Sequence, residues 1–105
     1  VFFTAGRYAL DEDHKYKLGK VVYLMQENVS ITLVVEGHSD ESESSMYSFD
    51  VSEKRANAVR TFLISKGIDG GRLSISAVGS INPDAGGGTT QAKAQNRRVQ
   101  FIATE

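Results

Sequence analysis

An arginine stands in the middle of the apolar face of one predicted helix. On a helix of 3.6 residues per turn, Val51, Arg55, Val59 and Phe62 lie within about 80° of one another. Burying an unpaired guanidinium there would cost several kcal/mol or more, so Arg55 needs a partner. Asp40, which follows an apolar strand pattern earlier in the chain, is the obvious candidate.

Two interpretations of Asp40 and Arg55 follow from the residues alone. The first is a buried ion pair that ties the end of a strand to the helix. The second is an open site for a zwitterion, in which Asp40 holds an ammonium group and Arg55 binds a carboxylate with two parallel hydrogen bonds. An amino-acid head group carries both charges close together, so it would suit such a site.

The bulk composition is that of one ordinary globular domain. A chain of 105 residues is long enough for a single core, and its formal net charge of −1 implies no general attraction to nucleic acid. The absence of cysteine excludes disulfides, thiolate catalysis and thiolate metal sites. Because the chain begins inside a strand pattern, we expect residues 1–105 to be a single domain excised from a longer protein.

Strand and helix patterns alternate along the chain. Strands are predicted at 1–3, 30–36, 73–77 and 98–103, and helices at 12–27 and 49–66. Asp11 is the expected N-cap of the first helix, and Asp50 or Ser52 that of the second, with Gly67 after its end. The order β-α-β-α-β-β predicts an α+β fold, a two-layer sandwich whose mixed sheet carries the helices on one face.

Three motifs that could carry catalysis or metal binding fail on their spacing. The glycines at 86–88 lack the spacing of a phosphate-binding loop. His14 and His38 have no partner at metalloprotease spacing, so we expect no metal and no cofactor. His38, Ser39 and Asp40 are adjacent in the sequence. The side chains of neighbours in an extended chain point in alternate directions, so these three do not by themselves assemble a catalytic triad. A hydrolase that uses Asp40 and His38 is therefore a minor alternative to a non-catalytic chain.

Three longer motifs stand in order along the chain. They are Gly37-His38-Ser39-Asp40, Tyr47-Ser48-x-x-Val51-Ser52-x-x-Arg55-Ala56 and Asn96-Arg97-Arg98-Val99. They resemble the motifs Gly-His/Tyr-Thr/Ser-Asp, Tyr-Asn-x-x-Leu-Ser-x-x-Arg-Ala and Asn-Arg-Arg-Val of the OmpA-like C-terminal domain. That module also occurs in peptidoglycan-associated lipoproteins and flagellar stator proteins, and the resemblance covers nearly the whole chain.

The resemblance implies a module that binds peptidoglycan non-covalently through the diaminopimelate of its stem peptide. It assigns the zwitterionic head group to Asp40 and Arg55. The rest of the implied pocket consists of Thr4, Ala5, Ser39, Ser48, Val51 and Arg97. The resemblance also implies no enzymatic activity, no cofactor and no nucleic-acid partner. The implied location is the periplasm, with attachment to the outer membrane or envelope through the rest of the protein.

One departure from the family motifs supports a different function. Ser48 stands where the family usually has asparagine, and this removes an amide that could donate and accept hydrogen bonds. The alternative is a structural or protein-interaction domain of the same fold that has lost wall binding. In that case Asp40 and Arg55 would form a plain salt bridge.

Overall fold

The computed structural model describes residues 1–40, 45–79 and 94–105, those of 45–48 by their backbone only. The elements are helices α1 (Glu12–Glu27) and α2 (Ser45–Ser65) and strands β1 (Thr32–His38), β2 (Leu73–Gly79) and β3 (Val99–Thr104). A short 3-10 turn, Gly70–Arg72, precedes β2. Within these ranges, no helix combines the length and the apolar character needed to cross a membrane.

The sheet is mixed, and β1 is its central strand. Its order is β2-β1-β3, with β1 parallel to β2 and antiparallel to β3. Helix α2 provides the crossover that a parallel strand pair requires. The predicted α+β fold with a mixed sheet is thus confirmed.

The predicted first strand is shorter than expected. Its residues form one isolated antiparallel bridge, between Phe2 and Arg98. The backbone N–H of Phe3 donates to the Arg97 carbonyl oxygen at 2.8 Å, and that of Val99 donates to the Val1 carbonyl oxygen at 2.8 Å. The segment therefore pairs with the residues at the start of β3 and just before it, but it does not form a full strand of the sheet.

Helix α1 has the predicted bounds and the predicted cap. The carboxylate of Asp11 accepts a hydrogen bond from the His14 backbone N–H at 2.8 Å, and Nδ1 of His14 accepts one from the Asp11 N–H at 3.1 Å. This reciprocal pair is a capping box. Because Nδ1 is an acceptor, Nε2 carries the proton and donates to the Phe2 carbonyl oxygen at 2.6 Å.

Helix α2 begins earlier than predicted. It starts at Ser45, so the predicted caps Asp50 and Ser52 are wrong, and both residues lie inside the helix. The Ser52 hydroxyl donates to the Phe49 carbonyl oxygen at 2.8 Å and accepts from the Gly79 N–H at 3.0 Å. Serine side chains make such local backbone bonds in helix interiors as well as at caps, and here the second bond joins α2 to the end of β2.

The end of α2 follows the prediction. Gly67 has a φ of +96°, a conformation that a residue without Cβ adopts easily. Its N–H donates to the Ile64 carbonyl oxygen at 2.9 Å, and the Ile68 N–H donates to the Leu63 carbonyl oxygen at 3.2 Å. These two bonds form a Schellman motif, which satisfies carbonyl groups of the last turn.

The core lies between the sheet and both helices. Leu33 and Val35 of β1 are buried, whereas Val34 and Glu36, which alternate with them, are only half-buried, as expected when helices cover one face. The buried cluster consists of Phe3, Leu18, Val22, Met25, Leu33, Val35, Ala56, Val59, Leu63, Ile68, Leu73 and Val99. At Gly37, a Cβ would lie 1.9 Å from the Ser52 carbonyl oxygen. Helix α2 therefore packs directly on the backbone of β1 where that strand ends.

Candidate functional site

The guanidinium of Arg55 is fully buried and bonded to backbone carbonyl groups. Its Nε donates to the Arg7 carbonyl oxygen at 2.8 Å, Nη1 to that of His38 at 3.0 Å and Nη2 to that of Thr4 at 3.3 Å. The same group lies 5.4 Å from the centre of the Phe3 ring. Hydrogen bonds from a charged donor are stronger than neutral ones, so these contacts offset part of the cost of burying the charge.

The apolar stripe predicted around Arg55 is present. Val51, one turn before Arg55, and Val59, one turn after it, are both buried, and Phe62 is half-buried. Arg55 therefore leaves the apolar face of α2 and meets the backbone at the end of β1. The prediction that a helix would carry a buried arginine at this place is confirmed.

Asp40 is fully buried and bound to Arg97. Its Oδ2 accepts a hydrogen bond from Arg97 Nη1 at 2.7 Å. Arg97 Nε donates to the Phe3 carbonyl oxygen at 2.9 Å. The structure thus brings together two residues of the predicted pocket, Asp40 and Arg97, that lie far apart in the sequence.

The loop 3–7 joins the two arginines. Arg97 holds its first carbonyl group, that of Phe3, and Arg55 holds those of Thr4 and Arg7. The Arg7 N–H also donates to the Thr4 carbonyl oxygen at 3.0 Å and closes a turn, which contains Gly6 at a φ of +70°. Thr4 and Ala5 are exposed on this turn, beside the end of β1. These hydrogen bonds therefore fix the loop 3–7 at one side of the predicted pocket.

Ser39 is the most unusual polar residue of this region. It is 1% exposed, and its Oγ has no hydrogen-bond partner within the described part of the chain. Buried polar groups are nearly always hydrogen-bonded, so an unbonded hydroxyl next to Asp40 is consistent with a place for a ligand. The side chain of Ser48 lies outside the described residues, so its role in the pocket stays a prediction.

A cleft of about 540 Å³ adjoins this region. Its lining comprises Phe2, Phe3, Thr4, Arg7, Ala9, Asp11, His14, Ala94 and Arg97. Thr4 and Arg97 belong to the predicted pocket, whereas Arg7 was not predicted as a site residue. At the α1 end of the cleft, the pKa of Asp11 is lowered chiefly by the hydrogen bond that its carboxylate accepts from the His14 backbone.

His38 is engaged in the structure and does not serve as a free base. Its Nε2 lies 2.6 Å from Oε1 of Glu36, and its imidazole is buried. Its carbonyl oxygen accepts from Arg55. In the ranges that the structure describes, no group of three or more His, Cys, Asp or Glu residues could hold a metal ion.

Comparison with known proteins identifies the relatives of the chain. The model of the OmpA family matches residues 2–97. Outer membrane protein A of Bordetella avium is 31% identical over 100 residues, which cover 95% of this chain and 52% of that protein. The peptidoglycan-associated lipoprotein of Pseudomonas aeruginosa is 38% identical over 69 residues, which cover 66% of this chain and 41% of that protein.

A solved structure supports the same assignment. The crystal structure of the peptidoglycan-associated lipoprotein from Burkholderia pseudomallei is similar, with a TM-score of 0.93 and 25% identity, over 99% of this chain and 88% of that one. The chain spans about half the length of the Bordetella protein. The relatives are named as membrane or wall-associated proteins and not as enzymes, which agrees with a non-catalytic module. With a match that covers residues 2–97, the chain belongs to the OmpA family.

Proposed function

We propose that the chain binds peptidoglycan non-covalently through the diaminopimelate of the stem peptide and anchors an envelope protein to the cell wall in the periplasm. The observation that carries the proposal is that a carboxylate and a guanidinium group are both buried near the end of β1. Asp40 and Arg55 are each 0% exposed, and Arg55 contacts the carbonyl group of His38, two residues before Asp40. Two relatives named as peptidoglycan-associated lipoproteins support peptidoglycan as the ligand.

The chemistry of diaminopimelate suits these charges. The free end of its side chain bears an ammonium and a carboxylate group on one carbon. Asp40 would bind the ammonium, because its carboxylate is the negatively charged group at this end of β1 and can accept from several donors, of which Arg97 is one. Arg55 would face the carboxylate. The Ser39 hydroxyl, which has no hydrogen-bond partner among the described residues, would donate to the same carboxylate. Thr4 and Ala5 would form the outer wall, and Val51 an apolar side.

One observation favours the alternative of a structural domain without wall binding. Arg55 donates to three backbone carbonyl groups and so holds the loop 3–7 against the end of β1. Such a role would preserve Arg55 in a domain that binds nothing. Binding of free diaminopimelate separates the two functions, because a plain structural network offers the ligand no site.

Titration with meso-diaminopimelate, followed by NMR, tests the proposal. We expect shifts at Ser39, Asp40 and Arg55 in the wild type, and affinity at least about tenfold lower in Asp40→Asn, which loses one charged hydrogen bond. Asp50→Asn is the matched control, because Asp50 pairs with Lys54 on the surface of α2. An unshifted wild-type site, or an Asp40→Asn variant that co-sediments with purified sacculi like the wild type, would contradict the proposal.

The structure makes Arg55→Lys a better second variant than Arg55→Ala. Truncation to alanine would leave three carbonyl groups without their donor and empty a buried volume, so lost binding could follow from lost folding. Lysine keeps the charge but not the planar fork. We expect Arg55→Lys to fold, as judged by thermal unfolding, and to bind diaminopimelate more weakly than the wild type.

A further inference from the structure

We propose that the cleft beside the diaminopimelate site takes a second carboxylate of the stem peptide, with Arg7 as its cationic partner. This inference rests on the proposed function and extends it to the neighbouring residues of the ligand. The cleft measures about 540 Å³, and its lining includes Thr4 and Arg97 of the proposed pocket. A peptide that places diaminopimelate beside Asp40 would therefore meet this cleft with an adjacent residue.

The backbone of Arg7 is fixed at the edge of this cleft. Its N–H donates to the Thr4 carbonyl oxygen at 3.0 Å, and its carbonyl oxygen accepts from Arg55 Nε at 2.8 Å. The residue itself is exposed. A long side chain thus starts from an anchored position next to the pocket, which reduces the entropy that the protein loses when the guanidinium binds.

Arg7 is also the cation of this cleft that lacks an acidic partner among the described residues. The other arginine of the lining, Arg97, is paired with Asp40. No ion pair joins Arg7 to a carboxylate anywhere in 1–40, 45–79 or 94–105. The acidic residue of the lining, Asp11, accepts from the backbone of His14 at the start of α1. An incoming anion is therefore attracted to Arg7.

The ligand offers a carboxylate on either side of diaminopimelate. In a stem tetrapeptide, the glutamate before it is linked through its side chain and has a free α-carboxylate, and the alanine after it ends the peptide. A guanidinium binds either group with two parallel hydrogen bonds. The shared chemistry is a carboxylate one residue from the zwitterion, and the two sources can be separated by amidating one of them at a time.

Calorimetric titration of Arg7→Gln with the tetrapeptide L-Ala-γ-D-Glu-meso-diaminopimelate-D-Ala tests this subsite. We expect affinity to fall about fivefold, the effect of one exposed ion pair of good geometry. Free diaminopimelate should bind Arg7→Gln and the wild type equally. Lys20→Gln, which removes one exposed positive charge from α1 outside the cleft lining, is the matched control and should bind like the wild type.

Two amidated tetrapeptides identify the source of the carboxylate. If the glutamate carboxylate binds Arg7, its amide will abolish the difference between Arg7→Gln and the wild type, and the terminal amide will preserve it. The reverse result assigns the terminal carboxylate, and both results support the subsite. The subsite is wrong if Arg7→Gln binds the unmodified tetrapeptide as well as the wild type, or if the fivefold difference survives both amidations. Loss of diaminopimelate binding by the wild type would instead contradict the proposed function.

Discussion

The guanidinium of Arg97 lies 2.7 Å from the carboxylate of Asp40, across a sequence separation of 57 residues. The Asp40 side chain is 0% exposed and that of Arg97 is 15% exposed. Arg97 also donates to the carbonyl group of Phe3. One side chain therefore joins three parts of the chain, namely the end of β1, the first residues and the segment just before β3.

The Asp40–Arg97 pair should make a measurable contribution to stability. We expect Arg97→Ala to lower the free energy of unfolding by about 2–3 kcal/mol at neutral pH, because a buried carboxylate loses a charged donor. Urea unfolding of both single variants and of Asp40→Asn/Arg97→Ala gives the coupling energy. We expect about 1–3 kcal/mol for residues in direct contact. Effects of the two single variants that simply add would show that the pair stabilises nothing.

Gly37 is required by the close packing of α2 on β1. In Gly37→Ala the new Cβ would lie 1.9 Å from the carbonyl oxygen of Ser52, and this backbone has no room to move without shifting the helix. We expect a loss of at least about 3 kcal/mol in the free energy of unfolding, at the upper end for overpacking. The measurement is again urea unfolding.

Gly19→Ala is the matched control for Gly37→Ala. Gly19 lies within α1, and a Cβ built there meets nothing within 4 Å. Alanine is favoured over glycine inside a helix by roughly 0.5–1 kcal/mol, so this variant should gain about that amount. Equal losses in the two variants would contradict the packing argument, because only Gly37 faces the backbone of α2.

Arg72, which is distant from α1 in the sequence, should stabilise the C-terminal end of that helix. Its Nε donates to the Ile31 carbonyl oxygen at 3.0 Å, and its Nη2 donates to those of Met25 at 2.9 Å and Asn28 at 2.7 Å. Carbonyl groups at this end of a helix have no partner within it, and a cation there also complements the helix dipole. We expect Arg72→Ala to cost about 1–3 kcal/mol, with faster amide exchange in the segment from Met25 to Ile31.

Arg72→Lys distinguishes the role of geometry from that of charge. Lysine keeps the positive charge but has no rigid fork that could reach several carbonyl groups at once. We expect a stability between those of the wild type and Arg72→Ala. A lysine variant as stable as the wild type would show that charge alone is sufficient at this helix end.

Much of the fold could be predicted from the sequence because its signals are local. The bounds of α1 follow from apolar spacing and from the acceptor at Asp11, and the Schellman end of α2 follows from Gly67. The start of α2 could not be predicted in this way, since Ser52 resembles a cap but bonds the backbone from inside the helix. The first segment looked like a strand by composition, yet strand length depends on pairing with distant residues.

The burial of a charged side chain on α2 was predictable from the sequence, but the contacts of that side chain were not. The stripe around Arg55 showed that a charge would be buried, and Asp40, which follows the strand pattern of β1, was its expected partner. In the structure, Arg55 donates to three backbone carbonyl oxygens, and Arg97 donates to the carboxylate of Asp40. Every residue has a backbone carbonyl group, so the residue types in a sequence do not show which carbonyl groups will accept these hydrogen bonds. For the same reason the sequence did not indicate Arg7, which accepts from Arg55 through its backbone carbonyl oxygen and is one of the residues that line the cleft.

The Asp11 cap predicts a specific dependence of stability on acid. The hydrogen bond from the His14 backbone lowers the pKa of Asp11 in the folded state, whereas the unfolded chain has the ordinary value of about 3.9. A carboxyl group with a depressed folded pKa contributes stability that is present above the unfolded pKa and disappears as the pH falls through the folded pKa. Thermal unfolding should therefore give a higher melting temperature for the wild type than for Asp11→Asn at neutral pH.

The two proteins should converge as the pH falls below about 4. Asparagine is the right comparison because it also caps helices and so removes the charge while keeping an acceptor for His14. The helix dipole adds to the preference for the charged form at this end of α1. A difference in melting temperature that stays constant through the acid range would mean that the amide and the carboxylate differ in packing, and that ionisation of Asp11 contributes nothing to the cap.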